Sequence, residues 1–158
     1  MPRVLSLDED GHLVQQPVVE AKTLRKAKIV DISSEFSDDE YVVDFMGSDT
    51  LEITAEIEAR NTSGLRLLRS EDGRRSVDLL FSNERIQLAD LSFPTRRWSW
   101  KTRLQIFIDK GLIEVFIDDG RRFVSKVVER NPEDNGVSFF TEKGKCTVYS
   151  LRMWQLGL

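Results

Sequence analysis

The sequence predicts an all-β fold, a two-sheet antiparallel β-sandwich of lectin-like type with one short N-terminal helix. Three observations carry that expectation. Apolar and polar residues alternate through most of the chain after residue 40, as they do in half-buried strands. Glycine-containing turn clusters recur between the alternating runs at the spacing of a sandwich or barrel. Only Val18 to Lys26 reads as a helix.

Taken in order, Pro2 to Leu7 and His12 to Gln16 are short strand-like pieces around Asp8-Glu9-Asp10-Gly11. The helix follows Pro17, a favourable first-turn residue, and is rich in alanine, leucine, lysine and arginine. Leu51, Ile53, Ala55, Ile57 and Ala59 face one way while Glu52, Thr54, Glu56 and Glu58 face the other, giving a strand with one wet face. Gly64 to Arg69 and Val77 to Phe81 flank Ser70-Glu71-Asp72-Gly73, a strong hairpin signal. Leu104, Ile106 and Ile108 precede Asp109-Lys110-Gly111, and Ile113, Val115 and Ile117 resume the alternation until Asp118-Asp119-Gly120. Phe123 to Val128 completes that meander, and Val137 to Thr141 and Cys146 to Trp154 flank Glu142-Lys143-Gly144-Lys145. About ten strands result, the number of a sandwich or barrel. The expected organisation is a junction segment over 1–16, a linker helix over 17–27 and the β-sandwich over 28–158.

Phe107 and Phe116 lie opposite the aliphatic rows of their strands, so both faces of that hairpin are apolar and it sits centrally or under another element. The first sixteen residues fit the sandwich poorly and read as an edge element made for another partner.

With 158 residues the chain suits one domain, and 40% hydrophobic residues make it too apolar for disorder. The net charge of -4 is spread along the chain, which argues against nucleic acid as a partner. A small basic patch, Arg96, Arg97, Lys101 and Arg103 around Trp98 and Trp100, is the one feature on the other side. Cys146 is the single cysteine, so no intramolecular disulfide forms and no Cys/His set has zinc spacing. No apolar stretch follows a basic N-terminal segment and none approaches about 18 residues, so the chain as given is expected to be cytoplasmic, with no membrane partner. Met1 directly before the junction segment predicts a start at that point.

No catalytic constellation emerges. The acidic clusters 8–10, 37–40, 118–119 and 133–134 fall in turn-like segments and read as solvated loop charges rather than as the paired carboxylates of a glycosidase. His12, the sole histidine, has no Gly-x-Ser-x-Gly elbow, and the glycines are isolated turn residues with no phosphate loop. Asp109, Glu114, Asp118 and Asp119 are spaced across a hairpin and do not supply a calcium loop. No metal or cofactor is expected. Glu114, a carboxylate on an otherwise apolar strand, is expected to take backbone or arginine hydrogen bonds. Trp98, Trp100 and Trp154 read either as core or as a sugar-stacking platform, because an indole offers a flat apolar face and a donor.

Two stretches carry a family resemblance. Pro2-Arg3-Val4-Leu5-Ser6-Leu7 through Gly11-His12-Leu13-Val14-Gln15-Gln16-Pro17-Val18 to Leu24-Arg25 resembles the junction between catalytic propeller and C-terminal β-sandwich in glycoside hydrolase family 32, the invertases, levanases and inulinases. Leu104-Gln105-Ile106-Phe107-Ile108-Asp109 with Ile113-Glu114-Val115-Phe116-Ile117-Asp118-Asp119-Gly120 resembles that sandwich's hallmark strand pair, and Leu151-Arg152-Met153-Trp154 its ending. The chain departs from the pattern at Asp109-Lys110-Gly111-Leu112, where the family has Asp-Arg-Ser-Ser, and at Leu91, where an arginine is expected. The family's Trp-Met-Asn-Asp-Pro, Arg-Asp-Pro and Glu-Cys motifs do not occur.

The resemblance implies a non-catalytic accessory module without its propeller, which packs on and steadies a catalytic propeller or pairs with a second copy of itself. Phe107, Phe116, Glu114 and Asp109 are the candidate interface and structural residues. The alternative is a stand-alone lectin-like module with a weak fructan or other sugar ligand, contacted by Trp98, Trp100 and Arg97.

Overall fold

The computed structural model describes residues 1–45, 47–59, 61–82, 84–94 and 101–157. The strands are β1 (Arg3–Leu7), β2 (Leu13–Pro17), β3 (Arg25–Ser37), β4 (Glu40–Val42), β5 (Thr50–Ala59), β6 (Ser63–Arg69) and β7 (Val77–Phe81), followed by β8 (Arg85–Leu88), β9 (Leu91–Pro94), β10 (Thr102–Asp109), β11 (Leu112–Ile117), β12 (Arg122–Val127), β13 (Gly136–Thr141) and β14 (Lys145–Leu156). They form a two-stranded hairpin, β1-β2, and two six-stranded antiparallel sheets ordered β12-β11-β10-β5-β14-β3 and β4-β13-β6-β7-β8-β9. The fold is therefore the β-sandwich that the alternation predicts.

Period-two side chains explain why the sheets stack. Leu51, Ile53 and Ile57 of β5, Leu104, Ile106 and Ile108 of β10 and Ile113, Val115 and Ile117 of β11 point inward from the first sheet. Leu65 and Leu67 of β6, Leu79 and Phe81 of β7, Ile86 and Leu88 of β8 and Phe139 of β13 meet them from the second. Cys146 and Val148 join this core from β14, so the lone cysteine is a small core residue.

The helix expected over Val18 to Lys26 is instead one short 3-10 segment, Val19–Leu24. It ends where Arg25 turns extended, with φ −65° and ψ 123°, and starts β3 inside the stretch expected to be linker. Six residues that include β-branched Val19 and Thr23 are too few for a stable α-helix, and tight i to i+3 turns suit such short connectors. No helix among the described residues is long and apolar enough to cross a membrane.

This linker is not loose. Ala21, Leu24 and Val18 cover Phe107, Phe116 and Leu156 on the outer face of the first sheet, forming a second, smaller core with Phe123 and Met1. Burying Phe107 and Phe116 there is worth about 2 kcal/mol each. The ring of Phe116 lies edge-on to Phe107 and tilted against Phe123, with centroids 6.1 and 4.9 Å away. Where β3 begins, Arg25 stands opposite Leu156 of β14, and the Gly157 N–H donates to the Leu24 carbonyl over 2.9 Å.

Candidate functional site

The outer face of the first sheet carries the chemistry. Strand register sets Phe107, Glu52 and Trp154 side by side on β10, β5 and β14. The Glu52 carboxylate, fully buried there, accepts two hydrogen bonds from Arg25, from Nε to Oε2 and from Nη2 to Oε1, both at 2.7 Å. Gln105 Nε2 donates to Oε1 over 2.9 Å, and the Arg25 guanidinium lies 3.8 Å from the Trp154 ring centroid. A buried carboxylate is tolerated because a planar fork meets it bidentately and an amide fills a remaining lone pair. The result is a clasp that ties the linker to the sheet.

Beyond the clasp a groove of about 540 Å³ opens between the linker and the sheet. Its floor is polar: Thr54 and Glu56 of β5, Gln105 and Arg103 of β10, Ser150 and Arg152 of β14. The turn after β11 closes one end. There Arg103 Nη1 donates to Asp119 Oδ2 over 2.6 Å, and the Arg103 backbone N–H to Asp118 Oδ1 over 3.1 Å. Burial pushes the Asp118 carboxyl above the usual carboxylate range, against the pull of the Arg103 N–H. Both acids are tied to Arg103, so they brace a turn rather than flank a scissile bond.

The same turn holds the N-terminal hairpin. Gln15 N–H donates to the Gly120 carbonyl over 2.9 Å, and Gln16 Nε2 to the Asp119 carbonyl over 2.9 Å. Gly120 has φ +86°, and a Cβ there would lie 1.9 Å from the Gln15 carbonyl oxygen, so only glycine permits this approach. Arg3 adds an ion pair to Glu114 at 3.6 Å and stacks 4.0 Å from the Phe123 centroid. Away from these anchors the hairpin is apolar and bare: Leu5, Leu7 and Leu13 are 64%, 70% and 53% exposed.

Of the residues singled out in the sequence, Phe107 and Phe116 are covered by the chain's own linker. Glu114 is buried and takes the Met1 amino group at 2.7 Å besides Arg3. Asp109 is exposed at the end of β10. Trp98, Trp100 and Arg97 lie outside the described residues. Trp154 is core-like, buried beneath Arg25. The groove residues were not singled out, since outward polar side chains on a strand resemble any wet face.

Two other polar clusters have structural explanations. Asp8, Asp10 and His12 bring possible ligand atoms within 4.8 Å of one another at the β1-β2 turn. Asp8 Oδ1 already accepts from the backbone N–H groups of His12 and Asp10, and the first of these chiefly holds its carboxyl below the usual range. Three donors, two of them exposed, fall short of a calcium or structural zinc set. At the far end of the second sheet Arg75 clamps the buried Asp134 through two hydrogen bonds of 2.9 Å, joining the loop after β6 to the loop before β13.

The chain matches the family described as glycosyl hydrolases family 32 C terminal over residues 18–155. It is 28% identical over 181 residues to a levanase of Bacillus sp. (strain L7), covering 99% of this chain and 20% of that protein. It is 27% identical over 160 residues to a sucrose-6-phosphate hydrolase of Escherichia coli, covering 95% and 33%. The chain thus spans a third or less of these relatives. The exo-inulinase of Aspergillus awamori has the same fold over 99% of this chain and 35% of its own, with a TM-score of 0.86 at 16% identity. With the sandwich and all but the first hairpin inside the matched stretch, the chain belongs to the C-terminal β-sandwich family of glycoside hydrolase family 32.

Proposed function

We propose that this chain is the non-catalytic accessory sandwich of a fructan- or sucrose-cleaving hydrolase, packing on a catalytic propeller and steadying it. The observation that carries this reading is the hairpin β1-β2: fastened to the sandwich on one side, it offers Leu5, Leu7 and Leu13 and the free edge of β1 on the other. A strand with one open edge beside exposed leucines is a template for another sheet. A propeller blade supplies such an edge, and in its absence a second copy of the chain takes its place.

Light scattering on the pure chain, with sucrose and levan hydrolysis assayed on the same sample, tests this. The expected result is an inactive dimer that separates when Leu5→Ser and Leu7→Ser are combined. Turnover by the purified chain would overturn the non-catalytic role, and a dimer indifferent to the two substitutions would overturn the hairpin as its contact.

A further inference from the structure

We infer that Asn135-Gly136, in the loop between β12 and β13, is a site of intramolecular deamidation, where the folded chain converts its own asparagine to aspartate and isoaspartate with water as co-reactant. The reaction needs a backbone nitrogen that can close on the preceding side chain, a donor on the oxygen where charge develops, and access for water. The first need separates the asparagines of this chain. Asn61 is followed by β-branched Thr62, Asn83 by Glu84, and Asn131 by Pro132, whose nitrogen has no hydrogen to lose. Asn135 alone precedes a glycine, which has no Cβ to hinder the approach.

The structure supplies the donor. Arg130 Nη1 donates to Asn135 Oδ1 over 2.8 Å, the separation that stabilises an oxyanion at that atom. The same nitrogen reaches the Asn131 and Pro132 carbonyls at 3.1 and 3.0 Å, and Nη2 holds Asp49 Oδ2 at 2.6 Å, so the guanidinium is fixed before any bond changes. Its side chain is 12% exposed, which limits the screening of its charge. Asn135 itself is half-buried, so water reaches the amide.

In the first step the Gly136 nitrogen gives its proton to hydroxide and bonds to Asn135 Cγ, which puts the negative charge on Oδ1 beside Arg130. The bond from Cγ to Nδ2 then breaks, and the departing nitrogen takes a proton from water, leaving as ammonia and restoring the hydroxide. Water opens the resulting cyclic imide at Cγ to give aspartate, or at the backbone carbonyl of residue 135 to give isoaspartate. One water is consumed, one ammonia is released, and nothing is oxidised or reduced.

The product fits the loop less well than asparagine does. Asn135 Nδ2 donates to the Pro132 carbonyl over 3.0 Å, and a carboxylate cannot. The new charge sits next to Glu133 and Asp134 in sequence, while Arg75 and Arg130 already hold Asp134 and Asp49. Isoaspartate also lengthens the backbone by one carbon just ahead of β13, where Gly136 pairs with Arg69. This site is separate from the hairpin β1-β2, so its failure leaves the accessory role untouched, and the reverse also holds.

The test keeps the full chain folded in mildly alkaline buffer, with a parallel sample in urea, and follows both by tryptic digestion and mass spectrometry. Peptide 131–143 carries Asn131 as well as Asn135 and so contains its own control. The folded chain is expected to gain about 1 Da at Asn135 and none at Asn131, and its converted fraction to melt about 3 °C lower or more. Arg130→Gln, which keeps a donor without the charge, should slow conversion by about tenfold. Conversion at Asn135 in urea but not in the folded chain would overturn the assignment and needs no variant. A folded Arg130→Gln chain that converts as fast as the parent would overturn it as well.

Discussion

Replacing Arg25 by alanine tests the clasp beneath the linker. The substitution deletes both 2.7 Å hydrogen bonds to Glu52 and leaves a carboxylate of 0% exposure with Gln105 as its remaining partner. Breaking a buried pair from one side costs about 3–5 kcal/mol. The Arg25 side chain is 23% exposed, so water enters the vacated space and holds the loss to about 3 kcal/mol. Lost stacking on Trp154 adds about 0.5 kcal/mol. For a chain of this length that total lowers Tm by about 10 °C. Urea unfolding measures the free energy, and Arg25→Met with Glu52→Met separates its origin, because replacing both partners with apolar side chains should cost less than Arg25→Ala alone. A loss under about 1 kcal/mol for Arg25→Ala, or additive effects of Arg25→Ala and Glu52→Ala, would refute the argument.

Gly120→Ala forces a Cβ onto the Gln15 carbonyl and should cost more than about 1 kcal/mol, with faster hydrogen exchange at the Gln15 amide while β5 and β10 stay protected. Asp134 is held below the ordinary carboxylate range chiefly by its hydrogen bond to Arg75, so its contribution is present above pH 3.8 and lost as pH falls through the lowered value. Asp134→Asn should therefore be less stable than the parent at neutral pH, with the gap closing in acid in a pH series of unfolding curves. Asp118 has the opposite sign: burial raises its pKa, so the folded state binds the extra proton and stability falls as pH rises from 3.8 through the raised value. Asp118→Asn should gain on the parent over that rise. Cys146 is fully buried and burial pushes its thiol pKa up, so an alkylating reagent should modify it only at the rate at which the core opens.

Strands whose two faces differ were legible in the sequence. The alternation of 51–59 and of the 104–117 meander places each inward side chain as the structure has it, but Glu52, expected on a wet face, is fully buried under Arg25. β3 was missed as a distinct strand although Val30, Ile32 and Phe36 recur at even spacing, because bulges near Lys28 and Leu156 break the pattern before it and charged residues fill its exposed side. The second apolar face at Phe107 and Phe116 was read from the sequence, but what covers it was not. Periodicity reports that a face is apolar and is silent on which segment lies over it. The linker took that place, with Ala21 and Leu24 the only apolar side chains its short 3-10 turn needed to spend there. The groove was illegible for a different reason: its six side chains come from three strands far apart in the sequence, and only the order β10-β5-β14 brings them together.

Arg25 opposite Leu156, with Gly157 bonded to Leu24, means that the strand opening the sandwich proper begins where the strand closing it ends. A body threaded in this way behaves like a bead on a loop whose two strings leave through the same hole. Residues 25 and 157 can both continue into one surface turn of an unrelated host without stretching that host's backbone, provided that the linker over Phe107 and Phe116 travels with them. Neighbouring entry and exit points make the sandwich a body that can be inserted as a unit.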